Sequence, residues 1–203
     1  MNTVILIINS ILQVVVFSLI PLIWWAITSR KKCSFFEWIG LKKVKTDDKK
    51  RIIILFVATV ILLAIPTIFI VPNFVPQSEM ATAQFSGKGF SVLLPAVIYS
   101  FIQTGLSEEI LFRGFIGKRL VNRLGLNIGN LVQGILFGLL HGVMFVSIVG
   151  PFGSVVIIFI TGTAGYVMGY INENLSKGSI VPSWLFHGCA NLCASLIAMF
   201  NLI

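Results

Sequence analysis

The chain has 203 residues, 57% of them hydrophobic and 11% charged, with a formal net charge of +8 and a mean hydropathy of +0.98. A soluble domain carries roughly 25% charged residues, so the composition excludes an ordinary soluble fold and predicts an all-α polytopic membrane bundle forming a single domain, 1–203. The positive charge does not point to nucleic acid. Nine of the fifteen basic residues fall between Arg30 and Arg51, in one polar loop, which is the pattern of a cytoplasmic loop beside anionic headgroups.

About six transmembrane helices are expected. The first, from about Thr3 to Ser29, has no basic residue ahead of Arg30, and its apolar run is too long for a signal-peptide core, so it reads as a retained helix. The basic loop follows, then a second span at Ile52–Val71, and together these make up a region 1–89 without a recognisable signature. A third span begins near Phe90 and continues past a Glu-Glu pair to Lys118; it is one long helix or two short ones meeting near Gly105, with Ser107 as N-cap of the second piece. Pro66 and Pro95 are expected to kink or end helices. The fourth, fifth and sixth spans are Ile128–Val149, Ser154–Ile171 and Ile180 to the carboxyl end. The three cysteines, Cys33, Cys189 and Cys193, make no disulfide framework and suit close helix packing.

Charge orients the bundle. If Arg30–Arg51 is cytoplasmic, the inside loops hold thirteen basic residues and the outside loops only Lys88, with both termini outside. The chain has seven acidic residues and two histidines. Ionised carboxylates at membrane depth cost roughly 2.5 kcal/mol or more each, yet Glu108 and Glu109 lie in the third span, His141 in the fourth and His187 in the sixth. Counted from the cytoplasmic ends at 1.5 Å per residue, Glu108, His141, His187 and Asn191 all lie roughly 10–20 Å deep. Three spans thus supply polar groups to one layer, which predicts a polar cavity facing the cytoplasm.

Local spacing sorts the layer. Glu109 and Arg113 are four apart and within reach of an intrahelical ion pair; Glu108 points about 100° away around the helix and stays available for chemistry. His187 and Asn191 share a face. Phe137 lies one turn before His141, and Gly138, Gly142 and Gly188 let neighbouring backbones approach.

These residues form three motifs in order: Glu-Glu-x-x-x-Arg (Glu108, Glu109, Arg113), Phe-x-x-x-His (Phe137, His141) and His-x-x-x-Asn (His187, Asn191). Over 90–203 the chain resembles the CAAX protease and bacteriocin-processing family, the Abi or Rce1-like group of intramembrane proteases. The resemblance implies a glutamate-dependent peptidase. Glu108 and His141 would activate a water molecule, His187 and Asn191 would donate to the oxyanion, and Glu109, Arg113 and Phe137 would support the site. The implied partners are a peptide or small protein substrate and the lipid bilayer. The implied location is a bacterial cytoplasmic membrane, with leader or signalling peptides as substrates in that branch and prenylated CAAX proteins as substrates of eukaryotic relatives.

Three other readings compete. Two histidines and two glutamates could ligate zinc, but there is no His-Glu-x-x-His and no Glu-x-x-His, and an Asn and an Arg suit an oxyanion better than a cation; no metal or cofactor is expected. Intramembrane Glu and His also serve proton-coupled transporters, without the matched interrupted helices of inverted repeats here. A non-proteolytic bacteriocin self-immunity protein, binding a peptide toxin, would not need the full set of motifs.

Overall fold

A computed structural model describes residues 3–65, 73 and 75–202. The described chain is all-helical. Helix α1 spans Thr3–Thr28, α2 Phe35–Ile39, α3 Lys49–Ile65, α4 Leu93–Ile98, α5 Lys118–Leu124, α6 Leu126–Tyr170 and α7 Val181–Met199. Four helical stretches are long and apolar enough to cross a membrane: Thr3–Thr28, Gly89–Leu124, Leu126–Leu175 and Val181–Met199. The second expected span is represented by the seventeen residues of α3, while Pro66 and the rest of that span to Val71 lie outside the described residues.

The fourth and fifth expected spans are the two arms of α6. Gly150 has φ 68°, ψ 178° inside it, and the following Pro151 cannot continue the preceding helical ladder. The chain reverses there. Ser154 Oγ donates to the Gly142 carbonyl at 2.8 Å, and Asn130 Nδ2 donates to the Tyr166 carbonyl at 2.9 Å. This antiparallel register is possible because small residues meet: a Cβ at Gly138 would stand 2.5 Å from the Ile158 carbonyl oxygen. The expected Gly150–Gly153 loop is therefore a one-residue reversal.

The third span runs continuously as helix from Gly89 to Leu124. It is not two pieces, and Ser107 is not an N-cap: its φ −60°, ψ −47° are helical, and its hydroxyl donates back to the Gln103 carbonyl. Pro95 does not end the span: Gly89–Val92 is a 3₁₀ turn, and Pro95 sits in the first turn of the α-helix that follows it, where a missing N–H is tolerated. Two wide, π-type segments follow, Tyr99–Leu106 and Glu109–Gly117. Such turns gather at functional sites because the extra residue per turn re-aims side chains.

Helix α1 exposes apolar residues along most of its surface and buries Leu6, Ser10 and Pro21. Its polar residues dock it: Ser10 Oγ donates to Gln103 Oε1 and Gln13 Nε2 to Ser107 Oγ, each at 3.3 Å. At the opposite wall, α3 places Phe56 edge-on to Phe186 of α7, ring centroids 5.2 Å apart. The basic loop folds over one end of the bundle. Ser34 caps α2, Gly40 ends it at φ 83°, and the Gly40 carbonyl accepts the Ile180 N–H at 2.9 Å. Only glycine fits at position 40, since a Cβ there would stand 2.3 Å from the Gly178 oxygen. This contact fixes where α7 begins, and hence the height of His187.

Candidate active site

The three motif-bearing helices converge as their spacing predicts. Glu109 is fully buried. Its Oε1 lies 2.9 Å from Arg113 Nη1 and 3.1 Å from His187 Nδ1. Its Oε2 accepts from Ser183 Oγ at 2.5 Å, and Ser183 Oγ in turn accepts from Asn172 Nδ2 at 2.7 Å. A buried charge persists only when it is paired and hydrogen-bonded, and Glu109 meets both conditions. Arg113 also lies over the Phe137 ring, its guanidinium carbon 4.0 Å from the ring centroid. Phe137 thus does more than flank His141: it makes a cation–π contact with Arg113 and stands edge-on to His187 at 6.0 Å.

Glu108 faces the other way, as the 100° offset requires. Its Oε2 is buried with no hydrogen-bond partner among the described residues. That oxygen lies 3.8 Å from His187 Nε2 and 4.0 Å from His141 Nε2. Hydrogen-bond partners assign the tautomers. His141 Nδ1 lies 2.9 Å from the Phe137 carbonyl, which can only accept, so Nδ1 carries the proton and a neutral ring leaves Nε2 with a lone pair toward Glu108. His187 Nδ1 faces the Glu109 carboxylate and likewise donates; its Nε2 can donate only when the ring is an imidazolium.

Asn191, one turn beyond His187, donates its amide to Thr104 Oγ1 at 2.8 Å. Thr104 donates to the Tyr99 carbonyl at 3.1 Å, a five-residue reach that the wide turn makes available. His141, His187 and Asn191 border a cavity of about 300 Å³. Phe186 and Met168 line it near the beginning of α7, and Val75, Met80, Ala81 and Thr82 line it where α3 connects to α4. Its wall is mostly apolar rather than polar, because the charges of Glu109 and Arg113 are used up in the buried network behind it. Among the described residues no group of three or more His, Cys, Asp or Glu side chains is arranged to hold a metal ion.

All seven sequence-predicted residues, Glu108, Glu109, Arg113, Phe137, His141, His187 and Asn191, stand in or directly behind this cluster. Sequence reasoning missed Ser183, Asn172 and Thr104. Ser183 carried a signal, being one turn before His187 on the face that already holds His187 and Asn191. Asn172 carried none, since it follows α6 in a stretch that reads as loop.

No curated protein and no solved structure matches the chain. A family profile, type II CAAX prenyl endopeptidase Rce1-like, matches residues 90–193, the stretch from the start of the third span to Cys193 that contains all three motifs. The chain is an integral membrane protein and belongs to the Rce1-like family of CAAX prenyl endopeptidases.

Proposed function

We propose that this protein is an intramembrane endopeptidase that hydrolyses a peptide bond with a water molecule activated by Glu108 and His141. One observation carries the reading: an unpartnered, buried Glu108 oxygen about 4 Å from the Nε2 atoms of two histidines on two other helices. A gap of that size between polar atoms suits a bridging water. Glu108 would accept the proton of that water as it attacks the scissile carbonyl, and the Nε2 lone pair of His141 would orient it.

The carbonyl oxygen gains negative charge in the tetrahedral intermediate. Protonated His187 and the Asn191 amide supply donors there, fixed beforehand by Glu109 and Thr104, so little reorganisation is needed as charge develops. Glu108 then returns its proton to the departing amine. The apolar cavity beside the donors receives the side chains next to the scissile bond, so the substrate is a membrane-presented peptide or small protein with apolar residues there. No metal enters this scheme: Glu108 and His141 activate the water, and His187 and Asn191 supply the oxyanion donors.

Glu108→Gln tests the reading, because glutamine keeps the shape and cannot take a proton. Cleavage of a membrane-presented peptide should fall to background while detergent melting is unchanged. Normal cleavage by that variant would overturn the mechanism. Loss of cleavage with retained toxin protection would instead favour the self-immunity reading.

A further inference from the structure

We propose that a cleft at the basic-loop end of the bundle is a binding site for the phosphodiester headgroup of an anionic lipid, and that its occupancy steadies the beginning of α7. The cleft is separate from the active-site cavity. It has a volume of about 570 Å³, and Lys42, Lys43, Lys45 and Lys177 line it against the single carboxylate of Glu37. Among the described residues, Lys42, Lys43 and Lys45 have no carboxylate within ion-pairing distance. Lys177 has only the exposed Asp47 at 2.9 Å, a contact that a phosphate can displace. The backbone of Lys177 is held at φ 48°, a region that non-glycine residues seldom occupy, and this conformation places a lysine on the wall opposite the loop.

Concavity distinguishes this group from the rest of the basic loop. Lys31, Lys32, Lys49 and Lys50 carry the same charge but do not line the cleft. The two walls of the cleft are also joined to α7. Ser179 Oγ donates to the Lys42 carbonyl at 2.7 Å, and the Ile180 N–H donates to Gly40 at 2.9 Å. A ligand bridging loop and turn would hold these bonds closed, directly before the helix that carries Ser183, His187 and Asn191. Polybasic segments are drawn to anionic leaflets in general; a built cleft predicts that position, as well as charge, matters.

The full chain would be reconstituted in phosphatidylcholine vesicles with and without phosphatidylglycerol. Wild type would be compared with a cleft variant (Lys42→Gln, Lys43→Gln, Lys45→Gln, Lys177→Gln) and a control variant (Lys31→Gln, Lys32→Gln, Lys49→Gln, Lys50→Gln). A ligand that binds the folded state raises Tm. Phosphatidylglycerol should raise Tm and slow amide exchange at Ile180 in wild type and control, and do neither in the cleft variant. An equal response in the cleft variant, or an equal loss in both variants, would overturn the site in favour of diffuse charge. Inorganic phosphate added to phosphatidylcholine vesicles should leave Tm unchanged; a rise matching that from the lipid would overturn the lipid as ligand. If the fourfold cleft variant does not fold, Lys43→Gln and Lys45→Gln singly should each reduce the lipid-induced rise, and an undiminished rise in both would overturn the proposal.

Discussion

His187 Nδ1 lies 3.1 Å from Glu109 Oε1, so the carboxylate that looked like one half of an intrahelical ion pair also orients the imidazole of another helix. Glu109 therefore joins the third span to α7, with Arg113 as its ion-pair partner and Ser183 donating to its other oxygen. The arrangement makes the adjacent glutamates unequal. One is held by an ion pair and two hydrogen bonds and fixes geometry; the other keeps an oxygen free.

Removing a partner from this buried set should act on stability first. Arg113→Ala leaves Glu109 buried without its cation, and breaking a buried pair costs about 3–5 kcal/mol. Ser183→Ala removes one charged hydrogen bond, worth about 1.5–3 kcal/mol, without removing a charge. Detergent melting should rank the variants wild type, Ser183→Ala, Arg113→Ala in falling order. Equal melting of all three would show that Glu109 is not held as described.

The basic loop should be cytoplasmic and both termini extracytoplasmic. Thirteen basic residues against Lys88 set the asymmetry. Reporter fusions at Lys45 and Ser86 should report opposite compartments, with Lys45 inside. The reverse result would place the Lys42–Lys177 cleft on the outer leaflet.

The parts of the fold legible in sequence were those fixed by periodicity and length. Apolar runs marked the helices, and the four-residue spacings of Glu109–Arg113 and His187–Asn191 placed each pair on one helical face. The reversal at Gly150 was legible only as a loop, because a left-handed glycine inside an apolar run resembles the packing glycines 138 and 142. The wide turns in the third span were not legible, since an i→i+5 bond leaves no residue-type signature; they are what lets Thr104 reach back to Tyr99 and hold Asn191. Asn172 was hidden for a different reason. Its partner Ser183 is eleven residues away across a turn, and no helical period connects them.

Metal independence follows from the proposed scheme and can be checked directly. Prolonged chelation should leave peptide cleavage unchanged, and elemental analysis should find no stoichiometric zinc. One metal per chain, lost in His141→Ala together with activity, would replace the water-activation scheme with a metal-bound one.

The oxyanion donors should show graded losses. Asn191→Ala removes one donor, and such losses typically cost about 10²–10³ in rate rather than all activity. Thr104→Val keeps Asn191 but removes the hydroxyl that orients its amide, so kcat should fall by less, about tenfold or under, with melting close to wild type. If Thr104→Val matches Asn191→Ala in rate, Thr104 itself contacts the substrate. If neither variant is slowed, the oxyanion lies elsewhere in the cavity.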